Sequence, residues 1–121
     1  MKTTRILVVD DDSSARDLLA STLRTIGYTE VSTVSDQAAA EQVLKRRKVA
    51  VVFLDIELSG ANGLDVMRDL KKTAPDVAIV MVSAHSTVDN VKQAIKLGAR
   101  GFVVKPYSIG KVKDVMARFD E

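Results

Sequence analysis

Short continuous apolar runs alternate along the chain with stretches in which apolar residues recur at helical spacing. "RILVV" (5–9) is brief and β-branched, the signature of a buried strand. From Ser13 to Ile26, the residues Ala15, Leu18, Leu19, Leu23 and Ile26 share one helical face, and Gly27 supplies a C-terminal stop. "EVSTV" (30–34) alternates like a strand. Ser35 can cap a helix over Asp36 to Arg47, with Ala39, Ala40, Val43 and Leu44 on its inner face. "VAVVFL" (49–54) is a second continuous strand. Leu64, Met67 and Leu70 mark a third helix, closed by the turn residues of "TAPD". After the strand "VAIVMV" (77–82), "SAHSTVD" leads into a fourth helix carrying Val88, Val91, Ala94, Ile95 and Leu97, stopped by Gly98. "GFVV" (101–104) is a fifth strand and "SIGKVKDVMARF" (108–119) a last helix, whose first turn Gly110 weakens.

Strand and helix thus alternate five times with short connections. That order predicts an α/β fold with right-handed crossovers and a parallel sheet covered on both faces. The runs at 49–54 and 77–82 are apolar throughout and suit central strands, whereas "EVSTV" suits an edge. The expected architecture is a doubly wound five-stranded sheet in the order 2-1-3-4-5, flavodoxin-like, with its switch point between the first and third strands. Ligands in such sheets bind beyond the strand C-termini at that crevice.

Composition narrows the class. The 121 residues are enough for one domain spanning 1–121, without room for a second core. Hydrophobic residues at 46% and charged residues at 28% favour an ordinary soluble globule over disorder. Cysteine is absent, which excludes disulfides and thiolate metal sites and fits a reducing, cytoplasmic compartment. The opening "MKTTRILVVDDD" has too short an apolar run for a signal peptide, and no stretch approaches a membrane span. A net charge of +2 gives no case for nucleic acid. The one basic cluster, "KRRK" at Lys45 to Lys48, ends a helical pattern, where cations meet the helix C-terminal dipole.

The polar residues that follow the strands carry the chemistry. Asp10, Asp11 and Asp12 follow the first strand, Asp55 the third, Ser83 the fourth and Lys105 the fifth, while the edge strand ends only in Ser35. Two carboxylates about 4 Å apart repel by ~4 kcal/mol at an effective dielectric near 20. Three around one crevice must hold either a proton or a cation. With no His or Cys beside them, an all-oxygen set selects a hard divalent ion, Mg²⁺ before Zn²⁺. The sequence after the first strand is "DDDSS" rather than a Gly-rich phosphate loop, which argues against a bound nucleotide. A phosphoryl group carried on the protein itself remains. Aspartate can be the nucleophile that forms an acyl phosphate, and phosphoryl transfer asks mainly for position and charge neutralisation. In that scheme Asp55 attacks, Asp10 and Asp11 hold the metal, Lys105 contacts a phosphoryl oxygen, and Ser83 donates to another.

"ILVVDDDSSAR", "VFLDIELSGANG", "VSA" and "GFVVKP", in this order and at these separations, resemble the receiver domain of two-component response regulators over essentially the whole chain. The resemblance implies that Asp55 is phosphorylated from a phosphohistidine on a sensor histidine kinase or a phosphotransfer protein. It implies Mg²⁺ ligation by Asp11, Asp55 and the backbone carbonyl of Glu57, with Asp10 acting mostly through water. Ser83 would be the hydroxyl that moves toward the phosphoryl group, and Phe102 the aromatic that turns inward with it. Lys105–Pro106 would be a cis peptide. Glu57 and His85 would flank the acyl phosphate and tune its hydrolysis. The face made by the fourth helix, fifth strand and fifth helix carries Lys92, Lys96, Arg100, Lys111 and Lys113, and would bind an acidic output partner or a second copy.

The chain departs from the family pattern in places. Ser59 stands where proline is frequent, Asn62–Gly63 where Asp–Gly is usual, and Phe102 where tyrosine often occurs. Asp12 occupies a variable position and is expected to cap the first helix. Three other classes fit less well. A phosphatase of the haloacid dehalogenase type would carry its aspartate motif on the first strand of a longer chain. A flavodoxin-like electron carrier would need a hydroxyl-rich phosphate loop where this chain has three aspartates. A docking module that never carries phosphate would lack one of the acidic residues, the acceptor or the lysine. The expectation is a phosphorylatable switch, enzymatic only toward its own phosphoryl group, whose output passes through another protein.

Overall fold

A computed structural model of the chain describes residues 3–57, 62–84 and 88–119. Its elements run β1 (Ile6–Val9), α1 (Ser13–Ile26), β2 (Val31–Val34), α2 (Gln37–Arg46), β3 (Val51–Asp55), α3 (Gly63–Thr73), β4 (Ala78–Ser83), α4 (Val88–Lys96), β5 (Gly101–Val104) and α5 (Ile109–Ala117). The sheet has the order β2-β1-β3-β4-β5, and every pairing is parallel. The doubly wound expectation holds, with β1 and β3 adjacent at the switch point.

The continuous apolar runs follow from burial on both faces. Leu7, Val9, Val52, Leu54, Ile79 and Met81 point to one side, into a core completed by Ala40 and Leu44 of α2, Val66, Met67 and Leu70 of α3, and Ala94 of α4. Ile6, Val8, Val51, Phe53, Val80, Val82 and Val103 point to the other, against Leu19 and Leu23 of α1 and Val112 and Met116 of α5. Side chains alternate along a strand, so two helical layers require apolar residues at consecutive positions. The edge strand β2 is only half-buried at Val31 and Val34 and is exposed at Ser32 and Thr33. Its two exposed residues are adjacent, a departure from the strict alternation expected of it.

Helix ends follow side-chain chemistry. Asp12 caps α1 as expected, its carboxylate accepting from the backbone N–H of Ser14 and Ala15. Gly27 closes that helix at φ 126°, and Gly98 follows α4 at φ 113°, a region that strains any residue with a Cβ. The cap of α2 is Asp36, not Ser35, because the Asp36 carboxylate reaches the Ala39 N–H at 2.8 Å. Leu18, expected on the inner face of α1, is 61% exposed, and Ile95 of α4 is 57% exposed. Both lie on the shoulder of their helix's apolar arc, beyond the reach of the sheet.

Candidate functional site

The register of the sheet brings the strand-end residues together. Val9 pairs with Leu54, so the next residues, Asp10 and Asp55, leave adjacent strands side by side. Asp55 pairs with Val82, Ser83 pairs with Val104, and the Lys105 N–H donates to the Ser83 carbonyl at 2.8 Å. Four strand ends therefore deliver Asp10, Asp55, Ser83 and Lys105 to one crevice beside the switch point. Asp11 joins from the β1–α1 connection. One carboxylate oxygen from each of Asp10, Asp11 and Asp55 lies within 4.8 Å of the others.

Asp10 and Asp55 are buried and Asp11 is exposed. Each buried carboxylate has partners that fix it. Asp10 Oδ1 accepts from the Asp12 N–H at 3.0 Å, and Asp55 Oδ1 from the Glu57 N–H at 3.0 Å. Lys105 Nζ stands 3.4 Å from Asp10 Oδ2 and 3.5 Å from Asp55 Oδ2. One cation thus bridges the two buried carboxylates. Burial, with the neighbouring Asp55 charge, pushes the Asp10 carboxyl above its ordinary range, against the pull of the Asp12 N–H and Lys105. Burial alone would lower Lys105, but the attraction of Asp55 and Asp10 prevails and raises it. Burial also raises the Tyr107 phenol, which feels the charges of Lys105 and Asp10.

Loop geometry is set close by. Lys105–Pro106 is cis, as the resemblance implied. Gly63 opens α3 against the backbone of Ile56: its N–H donates to the Ile56 carbonyl at 3.1 Å, and a Cβ there would stand only 2.6 Å from that oxygen. Gly63 therefore ties α3 to the residue directly after Asp55. Phe102 is half-buried on β5 and packs against the core on the α2–α3–α4 side of the sheet. His85 and Ser59 lie outside the described residues.

Two contacts at the site join residues that no local sequence pattern pairs. Arg16 Nη1 donates to the Asp10 carbonyl at 2.9 Å, pinning the start of the acidic loop to α1. Ser83 Oγ donates to Glu57 Oε1 at 2.6 Å. Glu57 was expected to contribute its backbone carbonyl and to tune hydrolysis, so the side-chain bond adds a role. Arg16 carries only a weak sequence signal, a basic residue about one helical turn beyond the acidic run.

An all-oxygen cluster of three carboxylates, only partly offset by the Lys105 ammonium, fits a hard cation and an incoming anionic group together. A family model described as the response regulator receiver domain matches residues 6–117. The chain belongs to that family. It is 38% identical over 114 residues to the alginate biosynthesis transcriptional regulatory protein AlgB of Pseudomonas putida, covering 94% of this chain and 25% of that one. The receiver domain of NtrX from Brucella abortus superposes with a TM-score of 0.86 at 36% identity, covering 93% of this chain and 95% of that one. A CheY-like receiver domain from Methanospirillum hungatei shares the fold, with a TM-score of 0.86 at 22% identity over 98% of this chain and 94% of that one. The chain spans about a quarter of the length of the AlgB and NtrX-like relatives it matches. Receiver domains of response regulators are signalling modules phosphorylated by histidine kinases, and the family binds Mg²⁺ at an acidic pocket. Among the described residues, no helix is long and apolar enough to cross a membrane.

Proposed function

We propose that this chain is a phosphorylatable switch of a two-component relay, with Asp55 as phosphoacceptor. The observation that carries the reading is the placement of Lys105 Nζ 3.5 Å from Asp55 Oδ2 within a cluster of three carboxylates at the switch point. A carboxylate oxygen of Asp55 forms a bond to phosphorus as the P–N bond of a phosphohistidine breaks and the imidazole nitrogen keeps the electron pair. The Glu57 N–H holds the other Asp55 oxygen and so fixes which oxygen is presented. Lys105 neutralises charge on the transferring group, and Ser83, on the adjacent strand end, donates to a phosphoryl oxygen afterwards.

Asp10, Asp11, Asp55 and the backbone carbonyl of Glu57 would hold Mg²⁺. When bound, the ion supplies neutralisation of the carboxylate cluster and of the phosphoryl oxygens. Asp10 contributes through its charge and through its hold on the β1–α1 loop. The chain acts as an enzyme only on its own phosphoryl group, which Glu57 and His85 expose to or shield from water. The donor is a sensor histidine kinase or a phosphotransfer protein, and the compartment is cytoplasmic.

Output is read on the face of α4, β5 and α5. Ile95, Val104 and Ile109 are exposed there among the exposed cations Lys92, Lys96, Arg100, Lys111 and Lys113. Phe102, beneath this face, couples it to Ser83. An apolar patch ringed by positive charge suits an acidic protein partner or a second copy of the chain. Charge reversal at Lys92 and Lys96 is expected to abolish partner capture while leaving phosphorylation unchanged.

Intact mass after incubation with a small-molecule phosphodonor tests the chemistry. The expected result is one phosphoryl group added, requiring both Mg²⁺ and Asp55, and absent from Asp55→Ala. An adduct that persists in Asp55→Ala would move the acceptor elsewhere.

A further inference from the structure

Ser83 is wholly buried, so its hydroxyl must find its partner inside the protein. It donates to Glu57 Oε1 at 2.6 Å, within the range of charge-assisted O–H···O⁻ bonds, the stronger class. A serine hydroxyl has a single proton to donate. The proposed phosphoryl group on Asp55 needs that same proton for one of its oxygens. Glu57 and the phosphoryl group therefore compete for one donor.

The geometry points to the Glu57 side chain as a latch that holds Ser83 in the resting arrangement and opposes the switch. The inference rests on the reading of Asp55 as phosphoacceptor and adds a regulator to that site. Glu57 is well placed to be such a latch. Its backbone N–H is tied to Asp55 Oδ1 at 3.0 Å, which anchors the residue beside the acceptor, while its side chain reaches across to the end of β4. Phosphorylation of Asp55 then breaks the Ser83–Glu57 bond before Ser83 is available. The stronger that bond, the smaller the switched fraction at a given level of phosphoryl group.

A latch differs from a bare negative charge, which would repel any anion at the site whether or not Ser83 were present. The discriminating experiment is a double-mutant cycle on the 121-residue chain. Binding of beryllofluoride, a phosphoryl mimic for the Asp55 carboxylate, is measured by calorimetry at saturating Mg²⁺ for wild type, Glu57→Ala, Ser83→Ala and the double variant. The latch predicts that Glu57→Ala tightens binding about tenfold more in the presence of Ser83 than in its absence. Equal effects in both backgrounds would overturn it. Glu57→Gln provides a second reading that leaves Ser83 intact, because it removes the charge but keeps an acceptor. A latch leaves Glu57→Gln between wild type and Glu57→Ala, whereas equality with Glu57→Ala rejects it. If wild type binds no beryllofluoride, the phosphoacceptor reading fails and the latch with it; binding without coupling sinks the latch alone.

Discussion

Asp10 and Lys105 touch each other, yet the fold treats them oppositely. Asp10 is 5% exposed beside a second buried carboxylate, and burial raises its pKa from 3.8. A carboxyl raised in the folded state contributes stability that is complete below the unfolded pKa and is lost as pH rises through the folded value. At neutral pH and without metal, Asp10 therefore works against the fold. Asp10→Asn is expected to stabilise the metal-free chain at pH 7 by about 1 kcal/mol, several degrees in Tm, with the gain shrinking toward acid pH. Lys105 is raised from 10.5 because Asp55 and Asp10 outweigh the cost of its burial. Its contribution is complete below 10.5 and is lost only as pH climbs through the raised value. Lys105→Ala should therefore destabilise the metal-free chain by about 2 kcal/mol at neutral pH, since it leaves two buried carboxylates without their cation. Urea denaturation in the presence of a chelator checks both signs. Destabilisation by Asp10→Asn would show that the contacts with the Asp12 N–H and Lys105 outweigh burial and the repulsion from Asp55.

At the scale of single elements, the site is only as well placed as the turn after β3. Gly63 lies against Ile56, so Gly63→Ala must displace backbone, at an expected cost of about 3 kcal/mol. Gly110→Ala, in the first turn of α5, meets nothing closer than Ser108 Oγ at 3.7 Å and should gain about 0.5–1 kcal/mol from helix propensity. Thermal denaturation of the pair separates a glycine required by close approach from one that only weakens a helix. The same scale explains what the sequence could and could not reveal. The strands were legible because burial on two faces demands unbroken apolar runs such as 51–54, and Asp10, Asp55, Ser83 and Lys105 were legible because they end those runs. Leu18 was misplaced because helical spacing identifies a face but not how far the opposing sheet extends across it. Ser35 and Asp36 are both capable caps, and only the loop geometry selects Asp36. The bond from Ser83 to Glu57 spans 26 residues and two elements, so no local pattern could carry it.

Across the whole molecule, the site exists only when the sheet does. Asp10, Asp55, Ser83 and Lys105 follow or end four different strands, and Asp11 comes from a loop held by α1. No single helix–strand unit contains a usable set of ligands. On the proposed reading, Mg²⁺ binding is linked to global folding rather than to local ordering of a loop. At a Mg²⁺ concentration a hundred times its dissociation constant, the folded state should gain about 2.7 kcal/mol. The urea midpoint should rise by the corresponding amount with an unchanged slope, since the surface exposed on unfolding stays the same. In Asp11→Asn/Asp55→Asn the same Mg²⁺ should shift the midpoint little from that variant's own metal-free value. A full Mg²⁺ shift in that variant would place the bound ion outside the carboxylate cluster. A changed slope would instead mean that part of the chain, and not the whole sheet, orders around the metal.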